Sequence, residues 1–207
     1  MSSTWSDSTW RERLTQRLEP LLKSADLVAE ISTYEGVPFA LFAYPPTAER
    51  ELRREVKMLA TRVENETPRR VTVLSLAELL WEAICGAYPP DGKALFEAER
   101  SMASESQERR LEMLEETVRS AVSVVQPLPT KIADRARALD PARSLLFLTR
   151  VGALYPVYRA SALLENLMGQ VQVPTILFYP GTRGAGRNSL RFMDSLEAIH
   201  GYRHKIF

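Results

Sequence analysis

The stretch VPFALFAYPPTAERELRREVKMLATRVEN, residues 37–65, decides how the rest of the chain is read. Its first part, VPFALFAY, is a continuous apolar run of strand length that shows no alternation and is closed by Pro45 and Pro46. Such a run predicts a strand buried on both faces, as in a parallel sheet. From Thr47 to Asn65 the apolar residues thin out to Leu52, Val56, Leu59 and Val63, at steps of three and four, amid Glu, Arg and Lys. That spacing predicts an amphipathic helix with a narrow stripe to lay on a sheet. A strand therefore leads into a helix.

The same alternation repeats outward from this unit. RVTVLSL (Arg70–Leu76) predicts a second strand, and Ser75 followed by Glu78 forms a capping box opening a helix over Ala77–Ala87. SLLFLTRVG (Ser144–Gly152) predicts a third strand, Val157–Met168 a helix, and VPTILFYPG (Val173–Gly181) a fourth strand. LRFM and YRHKIF near the C-terminus read as short final strands. Strands separated by helices pair in parallel through right-handed crossovers. The expectation is an α/β fold: one mostly parallel open sheet with helices on both faces, built as a single domain over residues 1–207.

Two helical segments stand outside that alternation. Residues 1–24 carry Trp10, Leu14, Leu18, Leu21 and Leu22 on one stripe, with Pro20 as a kink or restart. Residues 93–140 read as a helical insertion: a charged segment with a stripe of Leu111, Leu114, Val118 and Val122, a QPLPT linker, and a basic helix, KIADRARAL. Inward packing or an exposed partner-binding helix would both account for the first stripe. Trp5, Trp10 and Trp81 fall on apolar helical stripes and are expected in the core.

Composition narrows the function classes. Of the 207 residues 45% are apolar, enough for one well-filled core, and 27 Lys and Arg against 26 Asp and Glu leave a formal charge of +1. No global field holds nucleic acid or an anionic membrane, so any such contact is a local patch. The lone Cys85 lies in LLWEAIC, where a thiol behaves as a small hydrophobe. With no basic-then-apolar leader in MSSTWSDSTWRERL and no run near the ~20 residues that span a bilayer, the expected location is cytoplasmic, without membrane contact.

In an open parallel sheet ligands sit beyond the carboxyl ends of the strands, which draws attention to GTRGAGRNS, Gly181–Ser189. It approaches the phosphate-loop pattern G-x-x-x-x-G-K-[ST]: Gly181 and Gly186 have the right spacing, but Arg187 and Asn188 replace the Lys and the magnesium-binding hydroxyl. The turn after the first strand, where a phosphate loop belongs, offers Pro45 and Pro46, which lack N–H donors. The strand LLFLTR ends in Thr149 and Arg150 where a metal-holding acid is needed. Nucleotide hydrolysis is thereby disfavoured and no cofactor is expected. Two readings of the loop stay open. It is a glycine-rich turn with solvated arginines, or an interaction loop in which Tyr179, Gly181, Arg183, Gly184, Gly186, Arg187, Arg191 and Tyr202 meet a partner's carboxylates or phosphates.

Other constellations are weaker. His200 and His204 are four apart, but Gly201 intervenes and no H-E-x-x-H glutamate is present. Glu55-Val56-Lys57 resembles a nuclease fragment placed on a helix, which reads as a surface ion pair. No G-x-S-x-G elbow occurs. Lys131, Arg135, Arg137 and Arg143 could touch nucleic acid, although Asp134 and Asp140 dilute the patch.

The pieces R-V-G-A-L-Y-P (Arg150–Pro156), the helix bearing Leu163, Leu164 and Leu167, F-Y-P-G (Phe178–Gly181), L-R-F (Leu190–Phe192) and the Tyr202-Arg203 ending resemble the BrxB family of bacteriophage exclusion (BREX) defence systems. The likeness runs mainly over residues 144–207, and the family supplies no catalytic motif to carry over. What the resemblance implies is a non-enzymatic, cytoplasmic component of an anti-phage machine. It would act as an adaptor or scaffold beside PglZ, BrxC and also PglX, with a nucleotide- or nucleic-acid-binding module as the alternative. The expected topology is that of a degenerate phosphate-loop NTPase lacking Walker motifs.

Overall fold

The computed structural model describes residues 9–32, 38–183, 189–193, 198–199 and 205–207. Chain contacts resolve into two compact units, Met1–Leu74 with Leu139–Gly152 and Gln172–Phe207, and Ser75–Ala138 with Ala153–Val171.

The first unit opens with α1 (Trp10–Arg13), a five-residue π turn (Leu14–Leu18) and α2 (Glu19–Lys23), one helical run entered through a capping box of Thr9 and Glu12. Pro20 falls in the first turn of α2, and the widened turn before it absorbs its missing N–H. A short α3 (Leu27–Ile31), absent from the sequence reading, precedes β1 (Phe39–Tyr44). A 3₁₀ turn (Pro46–Ala48) leads into α4 (Glu49–Glu66), then β2 (Arg70–Ser75). The remaining strands are β3 (Ser144–Thr149), β4 (Thr175–Arg183), β5 (Leu190–Phe192), β6 (Ala198–Ile199) and β7 (Lys205–Ile206).

The strands form a mostly parallel sheet flanked by helices, in the order β2-β3-β4-β1-β7. β4 pairs in parallel with β1, Phe39 opposite Thr175 through Tyr44 opposite Pro180, and with β3, Leu146 opposite Thr175. β7 adds in parallel on the far side of β1, with Leu41 opposite Ile206. Only β5 and β6 run antiparallel, β5 on β4 and β6 on β5. Every residue of β1 and of β3 is buried, as their unbroken apolar runs predict, whereas the edge strand β2 is half-buried.

The core of this unit lies between one sheet face and the helices. Leu14, Leu18 and Leu22 meet all four predicted stripe residues of α4, and Phe42, Phe147 and Phe178 rise from the strands. Phe178 sits 5.7 Å from Phe42 and 5.4 Å from Phe147, centroid to centroid, in the inclined arrangements that ring quadrupoles favour.

The second unit is helical: α5 (Leu76–Ala87), α6 (Lys93–Ser101), α7 (Gln107–Ser120) running into a π turn (Ala121–Val125), α8 (Leu128–Arg137) and α9 (Ala160–Leu167). The Ser75 hydroxyl accepts from the Glu78 N–H at 3.3 Å and caps α5, one half of the predicted capping box; the reciprocal bond from the Ser75 N–H to the Glu78 carboxylate is not formed. Three expectations are corrected. Leu128 and Pro129 belong to the first turn of α8 rather than to a linker, because proline is tolerated where no intrahelical N–H is needed. α9 starts at Ala160, since the Tyr158 N–H still bonds to the Leu154 carbonyl at 2.8 Å and holds the chain in a turn. Trp81 is 48% exposed, its ring tilted against an equally open Phe96 at 6.3 Å, so it is not core.

Candidate functional site

The carboxyl rim of the sheet is built from the ends of β1, β3 and β4. At β1 the Tyr44 ring is fully buried and its hydroxyl donates to the Glu49 carboxylate at the start of α4. Burial first, and then Glu49, hold that phenol protonated well above its usual range. Arg53 Nε stands 3.7 Å from Glu49 Oε1. Arg13 donates from Nη2 to the Ala43 carbonyl at 2.8 Å, its guanidinium 5.9 Å from the Phe42 ring centroid. The space where a phosphate loop would present N–H groups is thus occupied by Pro45, Pro46 and protein side chains.

At β3 the Thr149 hydroxyl is tied to the Leu74 carbonyl at 3.2 Å, and the chain then turns through Arg150 with a left-handed φ of 61°. Non-glycine residues in that region carry local strain and concentrate at functional turns. Arg150 is half-buried, and no hydrogen bond or ion pair engages its guanidinium among the described residues. Two residues on, a Cβ added to Gly152 would meet Met193 Sδ at 3.6 Å and Pro180 Cγ at 3.7 Å, ordinary van der Waals distances.

β4 continues past the rim into a hairpin, with Gly181 opposite Phe192, Thr182 opposite Arg191 and Arg183 opposite Leu190. The Met193 N–H closes its base on the Pro180 carbonyl at 2.9 Å. Gly181 is required for space: a Cβ there would overlap the Arg191 carbonyl oxygen and stand 3.1 Å from the Tyr179 ring.

The predicted loop residues separate accordingly. Arg191 is exposed on β5 and Arg183 is placed by its backbone at the end of β4, while Gly184, Gly186, Arg187 and Tyr202 lie outside the described residues. Tyr179 is withdrawn from the surface: it is fully buried, edge-on to Phe192 at 5.3 Å, because both faces of β4 are covered over residues 175–181. Gly181 serves strand approach rather than contact. Sequence reasoning placed Arg150 at a strand end but carried no signal for its left-handed backbone.

The other constellations are placed as follows. His200 and His204 lie outside the described residues, and among the described ones no cluster of His, Cys, Asp and Glu is arranged to hold a metal. Glu55 lies 3.8 Å from Arg11, an exposed pair. Lys131 and Arg135 reach Glu82 at 3.4 and 2.6 Å, and Arg137 reaches Asp134 at 2.7 Å. Burial raises Glu82, but Arg135 and Lys131 together hold its carboxyl below the usual range. The basic stretch of α8 is therefore largely neutralised on its own unit. No described helix is long and apolar enough to cross a membrane.

What the rim offers chemically is two guanidinium-bearing positions, Arg150 in the turn after β3 and Arg191 on β5. Guanidinium forks suit carboxylates and phosphates. Comparison with known proteins adds the family. The family model described as BREX protein BrxB matches residues 72–206, and a relative named BREX protein BrxB, from Bacillus cereus (strain H3081.97), is 24% identical over 177 residues, 82% of this chain and 85% of that protein. No solved structure matches the chain. Matched by its model over well more than half of its length, the chain belongs to the BrxB family and is a component of a BREX phage-defence system.

Proposed function

We propose that this BrxB protein is a non-catalytic adaptor that binds other BREX proteins, such as PglZ or BrxC, through the carboxyl rim of its sheet. The observation that carries the reading is what fills that rim. Pro45 and Pro46 follow β1, a left-handed Arg150 follows β3, and the backbone of Arg191 closes over Gly181. Donor-free prolines after β1 and a sealed Gly181 form no nest for a phosphate chain among the described residues of the rim, whereas exposed arginine favours a protein surface rich in carboxylates. The topology is compatible with a phosphate-loop fold whose chemistry has been replaced by contact.

The test is co-purification from cells that express the whole defence system. Retention of PglZ or BrxC, lost on Arg183→Glu with Arg187→Glu, supports the adaptor. A chain that elutes alone from lysates containing every partner overturns it. Arg150 and Arg191, with no carboxylate partner among the described residues, also favour a second reading as an anion-binding module for nucleotide or nucleic acid. In that case titration with single- and double-stranded DNA gives affinity that falls steeply with salt.

A further inference from the structure

β2 ends the sheet: it bonds to β3 on one side, and among the described residues no strand lies on the other. Backbone groups along a strand point alternately to its two sides. The Arg70 N–H donates to the Arg143 carbonyl at 2.7 Å and the Leu74 carbonyl accepts from the Thr149 hydroxyl at 3.2 Å, so Arg70, Thr72 and Leu74 address β3. Val71 and Val73 therefore turn their N–H and C=O groups outward. Glu64, in the last turn of α4, accepts from the Val71 N–H through Oε1 at 2.9 Å. Val73 has no such cover: it is 41% exposed, and no hydrogen bond among the described residues engages its outward groups. Native sheets guard an end strand with proline, a bulge or a covering element, and here the guard stops at Val71.

The ground on both faces of this edge is basic. The Glu64 bond fixes which side of α4 borders β2, and Arg53 and Lys57 each lie within about 20° of Glu64 round the helix axis. Lys57 is exposed without an ion pair among the described residues, and Arg53 has only Glu49 at 3.7 Å. Val71 packs on the core that α4 shares, so strand alternation sets Arg70 on the opposite face. Arg70 and its backbone neighbour Arg143 are both exposed, again without an ion pair among the described residues. The nearby carboxylates are engaged by backbone: Glu64 by Val71, and Asp140 by the Ala142 N–H at 2.9 Å.

We infer that β2 takes up an extended acidic segment of another protein as an added strand. The segment's backbone bonds to the N–H and C=O of Val73, and its Asp or Glu side chains meet Lys57 and Arg53 on one face and Arg70 and Arg143 on the other. A second copy of this chain would set a basic edge against a basic edge, and nucleic acid lacks the alternating N–H and C=O groups that a strand edge recognises. This rests on the adaptor reading and gives it a second surface, the side edge of the sheet, with which to bridge two proteins.

The experiment places a photo-crosslinking phenylalanine at position 61, an exposed site of α4 between Lys57 and Glu64, and in a separate sample at position 191, in the full chain expressed with the complete defence system. Mass spectrometry then maps the crosslinked peptides. Position 61 is expected to capture a peptide of a different protein in which Asp or Glu is interleaved with apolar residues. Capture should fall roughly tenfold or more with Val73→Pro, which removes the outward N–H where an end strand tolerates proline, and should persist with Val73→Thr, which keeps it. Lys57→Glu combined with Arg70→Glu should lower capture as far, with circular dichroism unchanged, because both side chains are exposed and the ladder to β3 is untouched. Capture of a second copy of this chain, of nucleic acid, or of a peptide without acidic residues overturns the inference, as does a yield indifferent to the charge reversal. If position 191 captures a partner and position 61 captures nothing, the strand-addition site alone is wrong; if neither captures a protein, the adaptor reading falls with it.

Discussion

Arg62 grips Glu19 across 43 residues of sequence: its Nε donates to Oε1 and Oε2 at 2.9 and 3.1 Å, and its Nη2 donates to Oε2 at 2.8 Å. Lys23 adds a contact to Oε1 at 2.7 Å and reaches on to Glu66 at 2.8 Å, so one buried carboxylate joins α2 to α4. The Arg62 hydrogen bonds, opposed by burial and helped by Lys23, hold the Glu19 carboxyl below its ordinary value of 4.5. A depressed carboxyl stabilises the fold above the unfolded value, and that stabilisation is lost as pH falls through the folded pKa. Glu19→Gln should cost about 1–2 kcal/mol at neutral pH, discounted from a fully buried pair because Arg62 is partly open to solvent. Urea unfolding at a series of pH values should show the variant with a flatter decline below pH 4.5 than the parent.

Gly181→Ala sets a Cβ against the Arg191 carbonyl oxygen, an atom of the neighbouring strand's backbone that cannot swing aside. The hairpin of β4 and β5 should open at its base, at a cost above about 1 kcal/mol. Hydrogen exchange at the Met193 amide, which bonds to Pro180, should accelerate several-fold while amides of β1 keep their protection. Unchanged exchange at Met193 would show that the strands can part without loss.

Arg191→Glu alters an exposed residue whose backbone alone serves the hairpin. Thermal stability should change by no more than about 0.5 kcal/mol. Retention of BREX partners in co-purification should fall, because a reversed charge repels a carboxylate-bearing surface. Full retention would remove Arg191 from the proposed interface.

Phe178→Ala and Trp81→Ala compare two large aromatics in opposite settings. Phe178 is fully buried between Phe42 and Phe147, and its truncation should cost about 3–5 kcal/mol. Trp81, with 48% of its surface in solvent and Phe96 as its ring neighbour, should cost about 1 kcal/mol. Calorimetry of the two variants checks the ratio, and a Trp81 variant as damaged as Phe178→Ala would mean that its ring supports the fold rather than a surface.

Particular residues show where legibility stops. The α4 stripe of Leu52, Val56, Leu59 and Val63 reads correctly because a helix on a sheet needs one narrow apolar face and the periodicity states it. The stripe of Leu111, Leu114, Val118 and Val122 has the same periodicity but a graded outcome, Leu111 57% exposed, Leu114 and Val118 half-buried and Val122 fully buried, because a pattern records which side chains are apolar and not how much lies against them. Tyr179 fails as a surface candidate for a related reason: a tyrosine near a glycine-rich loop reads as amphipathic, yet both faces of β4 are covered over residues 175–181 and the ring packs edge-on to Phe192.

By itself the sequence determined the alternation of strand and helix, the buried runs of β1, β3 and β4, and the absence of phosphate-binding chemistry after β1, since these follow from local apolar spacing and from prolines that carry no N–H. Only the tertiary structure decided the strand order, the antiparallel hairpin that makes Gly181 obligatory, the left-handed Arg150, and the bond of Glu19 to Arg62. Each of those depends on groups far apart in the chain meeting at van der Waals or hydrogen-bond distance, which no short-range pattern encodes.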